Sequence, residues 1–209
     1  MNILFISRKL KICLALSING GLKSRALLDL IGIFYSYNDE QRLDGFNNAI
    51  SLSVTFPNYR MFYKYRRNSD NYCVILLNAE KILGNLDLAF HHTNAASNAV
   101  RNILLEQRKT LAAFNEMFYE PTGSSRLERR LADNETTDPQ AEILCFDSIP
   151  LHYFDKIIFD NYKNLQENSY LFTGTNISCI VDRDYFAPRH DWEFWTLRSY
   201  SINIDDEDW

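Results

Sequence analysis

A single glutamate is the first residue whose setting suggests chemistry. In Gln140-Ala141-Glu142-Ile143-Leu144-Cys145-Phe146, the alternation of a β-strand puts Glu142 on the same side as Leu144 and Phe146. A carboxylate on the apolar side of a strand is costly unless a partner or the mouth of a cleft receives it. Two readings are open at this point. Glu142 is either a strand-end glutamate reaching water or a catalytic carboxylate at the start of a strand, behind a long loop.

A second concentration of reactive side chains follows Ser51, Leu52, Ser53, Val54, Thr55 and Phe56, an alternating run stopped by Pro57. The chain then reads Asn58-Tyr59-Arg60-Met61-Phe62-Tyr63-Lys64-Tyr65-Arg66-Arg67. Tyr59, Phe62, Tyr63 and Tyr65 could stack on a planar ring, and Arg60, Arg66 and Arg67 could hold phosphates through their forked donors. The same pattern also fits an amphipathic helix whose Phe62 and Tyr63 belong to the core. Arg126, Arg129 and Arg130 form a further basic cluster. Cations interleaved with aromatic rings are what a nucleic-acid backbone or a dinucleotide asks for.

Other chemistries find no pattern. The four cysteines, Cys13, Cys73, Cys145 and Cys179, lie in apolar runs without a C-x-x-C pair, as reduced core thiols do. The four histidines show no metal-ligand spacing, and adjacent His91 and His92 would face opposite sides of a strand. No metal is expected.

The elements that must position these residues are mixed. Ile3 to Ile6 reads as a strand, and Leu10, Cys13, Leu14 and Ile18 fall on one helical stripe ended by Gly20-Gly21. Leu52 to Phe56, Tyr72 to Leu77, Glu142 to Phe146 and Ile177 to Val181 read as strands, and Ala95 to Met117 as mostly helix. Glu120 to Pro139 reads as a loop. No repeat and no Gly-rich phosphate loop interrupts this order. A chain of 209 residues can bury a core of its own, so one α+β domain over 1–204 is expected.

Asp205, Asp206, Glu207 and Asp208 supply most of the net charge of −5 and read as an acidic tail over 205–209. Lys9 and Lys11 before an apolar stretch resemble a signal peptide only faintly, since the stretch is short and no small-residue cleavage site follows. No run reaches the length of a membrane span. The expectation is a cytoplasmic protein with no membrane partner.

Gly20-Gly21-Leu22-Lys23-Ser24-Arg25, Ala49-Ile50-Ser51-Leu52-Ser53 with Phe56-Pro57-Asn58-Tyr59-Arg60-Met61-Phe62-Tyr63, Thr93-Asn94-Ala95-Ala96-Ser97, and Thr137-Asp138-Pro139-Gln140-Ala141-Glu142 together resemble the DarT family of DNA ADP-ribosyltransferases. The resemblance implies an ADP-ribosyltransferase fold, with a split β-sheet whose cleft grips NAD as co-substrate. It implies Glu142 as the catalytic glutamate; Arg60 could pair with the NAD pyrophosphate or help activate the acceptor, and Ser7, Gly21, Leu22, Ser53, Tyr59 and Tyr63 are the candidate NAD contacts. Arg66, Arg67, Arg126, Arg129 and Arg130 would meet single-stranded nucleic acid, the last three from a substrate-facing loop over about 120–140.

Two departures bear on the reaction. Where family members usually carry a His-x-Thr-like NAD contact, this chain reads Phe5-Ile6-Ser7-Arg8. Thymine-modifying members carry an Asn/Cys-Pro-Arg motif, whereas Pro57-Asn58-Tyr59-Arg60 resembles the guanine-modifying branch. The implied function is a toxin of the toxin–antitoxin or phage-defence kind, with a cognate antitoxin that reverses the modification or binds the toxin. Three alternatives stand beside it: the same chemistry on RNA in a toxin–antitoxin–chaperone module, transfer to protein, and an inactive nucleotide- or nucleic-acid-binding module.

Overall fold

The computed structural model describes residues 3–7, 20–33, 44–59, 61–62, 72–120 and 126–201. Hydrophobic alternation and continuous apolar runs account for its central strands. In β3, Ile50–Val54, the residues alternate between the core and the opposite side, so Ile50, Leu52 and Val54 face one side and Ser51 and Ser53 the other. In β4, Cys73–Leu77, every residue is buried, as a continuous apolar run in a doubly covered strand requires.

With β1 (Ile3–Ser7), β5 (Leu88–His91), β6 (Glu142–Cys145), β8 (Phe154–Phe159) and β9 (Ser178–Val181), they form a seven-stranded sheet in the order β5-β6-β3-β1-β4-β8-β9. All neighbours are antiparallel except β8 and β9. Those two are joined through α5, Tyr162–Asn168, which Asn161 caps by accepting from Asn164 N at 2.8 Å. A separate ribbon pairs β2, Gly21–Leu22, with β7, Ile149–Pro150. The expected α+β domain with a divided sheet takes this form. Among the described residues no helix is long and apolar enough to cross a membrane.

The two sides of the large sheet differ in character. One side carries the main core, including Ile50, Leu52, Val54, Ile75, Leu77, Ile143, Cys145, Ile157 and Phe159, and Leu22 and Ile149 of the ribbon pack into it. The other side carries two smaller clusters. One joins Phe62, Tyr72, Val74, Leu76, Ile158 and Phe186; the other joins Ala49, Ala89, Ala95 and Leu144.

The helix expected over 95–117 is largely absent. After turns up to residue 104, only α3 (Leu105–Arg108) and α4 (Leu111–Glu116) are helical. Short polar side chains capture the backbone locally, with Ala96 N donating to Asn94 Oδ1 at 2.9 Å and Ala99 N to Ser97 Oγ at 3.3 Å, and this competes with helix formation. Thr110 then starts α4 by capping Ala113 N at 3.2 Å. The two remaining longer helices are α2, Ala79–Asn85, and α6, Trp192–Ser201; the short α1 spans Arg25–Leu30.

Candidate active site

Strand register brings three polar side chains into one row. Glu142 at the start of β6 is the direct antiparallel partner of Ser53 on β3 and of His91 on β5, and residues directly opposite in an antiparallel pair share a face. Ser51 and Ser53 continue this polar stripe between the two small apolar clusters. Glu142 is half-buried, and its Oε2 accepts from Ala95 N at 3.0 Å. The chain after β5 therefore turns a backbone N–H toward the carboxylate, which fixes its direction. Segments 93–97 and 137–142, far apart in sequence, meet at this bond. The strand-end carboxylate thus lies on a polar stripe beside the apolar cluster containing Leu144.

His91 was considered in the sequence only as a metal ligand. It is 3% exposed, and its Nδ1 is buried without a hydrogen-bond partner. Burial lowers its pKa to about 4, aided by the charges of Arg108 and His92 and opposed by a backbone hydrogen bond to Ala89. The ring is neutral at neutral pH. Arg108 is itself buried, donates Nη1 to Glu116 Oε2 at 2.9 Å and leaves Nε unpartnered. The only sequence signal for His91 was its place just before segment 93–97. Among the described residues no group of three His, Cys, Asp or Glu could hold a metal ion.

The described part of the loop leading into Glu142 is tied down at several points. Arg189, 1% exposed, donates Nη1 to Thr136 O at 2.7 Å and Nη2 to Thr137 O at 3.4 Å. Its Nε and Nη2 also reach Asp191 Oδ1 and Oδ2 at 2.6 and 2.7 Å. Thr137 N donates to Met117 O at 2.9 Å, and Thr55 Oγ1 donates to Asn134 O. Thr55 adopts φ 59°, which is uncommon for a β-branched residue; it sits between Val54 O and Phe56 N, bonded at 2.6 Å.

Three arginines expected to meet nucleic acid part ways here. Arg129 is a correction: it is 7% exposed, and its Nη1 donates to Thr137 O at 2.9 Å and Asp191 Oδ2 at 3.2 Å. Its guanidinium also packs on Phe194 and Trp195, 4.7 and 5.4 Å from the ring centroids. Buried in this way, it presents nothing to a phosphate backbone. Arg126 is half-buried and donates to Thr137 Oγ1 and Ala132 O, each at 2.8 Å. Arg130 is exposed at φ 56°.

The remaining expectations divide as well. Tyr59 is half-buried in the turn after β3, where Asn58 N donates to Ser53 Oγ at 3.3 Å. Phe62 belongs to the core, with Tyr72 and Phe186 at centroid distances of 5.6 and 5.5 Å. The Leu22 side chain packs in the main core, on the sheet face away from Glu142, which leaves only its backbone for a ligand. Gly21, at φ 139°, lies against Ile149 O, which a Cβ would meet at 2.1 Å. The ribbon itself therefore requires this glycine; the helical stripe expected from Leu10 to Ile18, which Gly20-Gly21 would end, lies outside the described residues. Ser7 ends β1, and its side chain lies outside the described residues. Arg60, Tyr63, Arg66, Arg67 and the tail at 205–209 also lie outside them. A shallow hollow lined by Asp160, Asn161, Arg183, Phe186 and Ala187 shares no residue with the Glu142 row.

A mixed sheet with a strand-end glutamate on a polar stripe, fed by a pinned loop, defines the class of site. The family profile described as "DarT: ssDNA thymidine ADP-ribosyltransferase, DarT" matches residues 34–188. The chain belongs to the DarT family of NAD-dependent ADP-ribosyltransferases. Solved structures agree on the fold. Thermosipho africanus DarTG in complex with ADP-ribose superposes with a TM-score of 0.62 at 14% identity, over 88% of this chain and 50% of that one. The chain thus spans half the length of that protein. Thermus sp. 2.9 DarT in complex with NAD+ gives 0.58 at 12% identity, over 89% and 97%. The same protein in complex with ADP-ribosylated ssDNA gives 0.56 at 12%, over 89% and 96%. No curated protein sequence matches the chain.

Proposed function

We propose that the protein transfers ADP-ribose from NAD to a nucleobase of single-stranded DNA, with Glu142 as the catalytic carboxylate. The observation that carries this reading is the setting of Glu142: half-buried, aimed by the Ala95 N–H, and in register with Ser53 and His91. The stripe offers hydroxyl and carboxylate groups to a polar co-substrate, and the buried Nδ1 of His91 has no hydrogen-bond partner, so these residues fit NAD. The Thermus structures in complex with NAD+ and with ADP-ribosylated ssDNA support the same substrates.

NAD carries its own leaving group. The bond from ribose to nicotinamide breaks and its electron pair leaves with nicotinamide. A base nitrogen supplies the pair for the new bond and loses its proton to Glu142 or water. Glu142 stabilises the positive charge that develops on the ribose and orients its hydroxyl. Arg60 assists, Ser7, Gly21, Ser53, Tyr59, Tyr63 and the backbone of Leu22 contact NAD, and Arg66, Arg67, Arg126 and Arg130 contact the DNA. The acceptor must be unstacked to be reached, which favours a single strand.

Guanine is proposed ahead of thymine. The support is Pro57-Asn58-Tyr59-Arg60 in place of the Asn/Cys-Pro-Arg motif, although the family description names thymidine. A toxin acting in the cytoplasm beside a cognate antitoxin completes the reading; it rests on the resemblance and on the DarTG neighbour. The test is incubation with labelled NAD and single-stranded DNA oligonucleotides lacking either guanine or thymine, with duplex DNA, RNA and protein acceptors in parallel. Label is expected on guanine-containing single strands and much less on duplex. Label confined to protein or RNA overturns the DNA reading, and label that follows thymine overturns the choice of base.

A further inference from the structure

The loop before Glu142 is held by a buried charge network that the transfer chemistry does not itself use. Arg189 lies beyond the stretch matched by the family profile, 34–188, yet it grips Thr136 O and Thr137 O while locked to Asp191. Arg129 joins the same two partners, Thr137 O and Asp191, and Trp195 Nε1 donates to Asp191 Oδ2 at 3.0 Å. Between this anchor and Glu142 the backbone is tightly turned, with Gln140 N on Asp138 Oδ1 at 2.7 Å and Ala141 N on Asp138 O at 3.1 Å. On its outer side the loop displays Leu127, 86% exposed, and the exposed Arg130. An apolar side chain beside a cation suits an unstacked base and its phosphate.

Glu142 is held differently. Its position comes from the β3–β6–β5 register and the Ala95 N–H, none of which passes through Arg189. The network therefore governs where the acceptor-facing loop sits, while the sheet governs where bond breaking in NAD occurs.

We propose that Arg189, held by Asp191, is a positioning residue: by anchoring the carbonyls of Thr136 and Thr137 it decides whether the broken NAD bond is completed by a nucleobase or by water. This rests on the reading of Glu142 as the catalytic carboxylate. Either fate balances in the same way. Nicotinamide departs with the bonding pair, the base nitrogen or the water oxygen supplies the new pair, and that nucleophile releases one proton. A misplacement of about 1 Å in the acceptor platform is enough to cost roughly 10²-fold in transfer, and it leaves water free to react.

The experiment compares wild type, Arg189→Lys and Asp191→Asn with Phe172→Leu, a main-core variant away from the loop, all well below their melting temperatures. Nicotinamide release without oligonucleotide and label transfer to a single-stranded DNA oligonucleotide are measured side by side. Amide exchange over 126–140 is followed in the same proteins. In the two network variants, transfer should fall about 30- to 100-fold while nicotinamide release changes by less than about threefold. Loop amides should exchange faster while those of β4 and β8 do not. Phe172→Leu should leave the ratio of transfer to release unchanged. In the wild type, the Thr137 amide should exchange as slowly as those of β6.

An unchanged ratio in both network variants, or rapid exchange at Thr137 in the wild type, overturns the proposal. A wild type that neither releases nicotinamide nor labels DNA overturns the proposed function instead, and this inference with it.

Discussion

Asp191 holds Arg189 through both carboxylate oxygens, Nε on Oδ1 at 2.6 Å and Nη2 on Oδ2 at 2.7 Å, with neither side chain reaching solvent to any extent. Burial alone would raise the Asp191 carboxyl. The hydrogen bonds and charge of Arg189, with Trp195 and Arg129, reverse that and hold it below the usual carboxylate range. Removing one member of a buried pair leaves an uncompensated charge, so Asp191→Ala should destabilise the protein by roughly 3–5 kcal/mol. The folded pKa is depressed, so this stability is present above the ordinary Asp value of about 3.9 and is lost as pH falls through the folded one. The stability gap between wild type and Asp191→Asn, read by urea unfolding, should hold from pH 5 to 8 and narrow below about pH 4. A gap that widens in acid would contradict the assignment.

Neighbouring arginines should behave oppositely. Arg129 is buried against Asp191, Phe194 and Trp195, so Arg129→Ala should lower the melting temperature by several degrees, about 2–4 °C per kcal/mol for a chain of this size. Arg130 is exposed, so Arg130→Ala should leave melting within about 1 °C, weaken binding to single-stranded DNA and reduce its salt dependence by about one phosphate contact. Calorimetry and binding at two salt concentrations separate the two outcomes.

Glu142→Gln keeps an oxygen that can still accept from Ala95 N but removes the charge. Transfer should fall by roughly 10²–10⁴-fold, with the melting temperature unchanged or raised and NAD affinity largely kept. Near wild-type labelling of DNA by the Gln variant would place the catalytic carboxylate elsewhere.

The pKa of His91 is lowered to about 4 by burial, with Arg108 and His92 adding to the effect. An unfolded histidine titrates near 6.5, so between these values the unfolded chain binds a proton that the folded chain does not. From this group, stability should therefore rise with pH across roughly 4 to 6.5, by on the order of 3 kcal/mol. His91→Gln should flatten the curve in that window. Identical slopes for variant and wild type would mean that folding leaves the His91 pKa unshifted.

Gly21→Ala places a Cβ at 2.1 Å from Ile149 O, at φ 139°. The β2–β7 ribbon would have to shift away from the main core, destabilising the protein by roughly 2–4 kcal/mol. Loss of NAD binding at unchanged stability would instead assign Gly21 to the co-substrate alone.

Residues whose surroundings are their immediate neighbours were legible from the sequence. The continuous run in β4 could only be a doubly covered strand, and the alternation around Glu142 placed a carboxylate on a largely apolar face. The order of motifs disclosed the family that the profile match shows. Where short-range chemistry competed with periodicity, the sequence misled: Asn94, Ser97 and Thr110 end the helical pattern of 95–117 through their own hydrogen bonds. Strands β5 and β8, each carrying polar residues toward its start or end, were not marked. They exist because β6 and β4 offer unpaired edges to join.

Only the tertiary structure decided what became of the arginines. Arg129 and Arg130 are adjacent and chemically identical in the sequence, yet one is buried and the other exposed, because Asp191 and the α6 rings arrive from about sixty residues downstream. Periodicity reports which way a side chain leaves its own backbone. Burial of a charge depends on which distant carboxylate is there to meet it, and no local pattern carries that information.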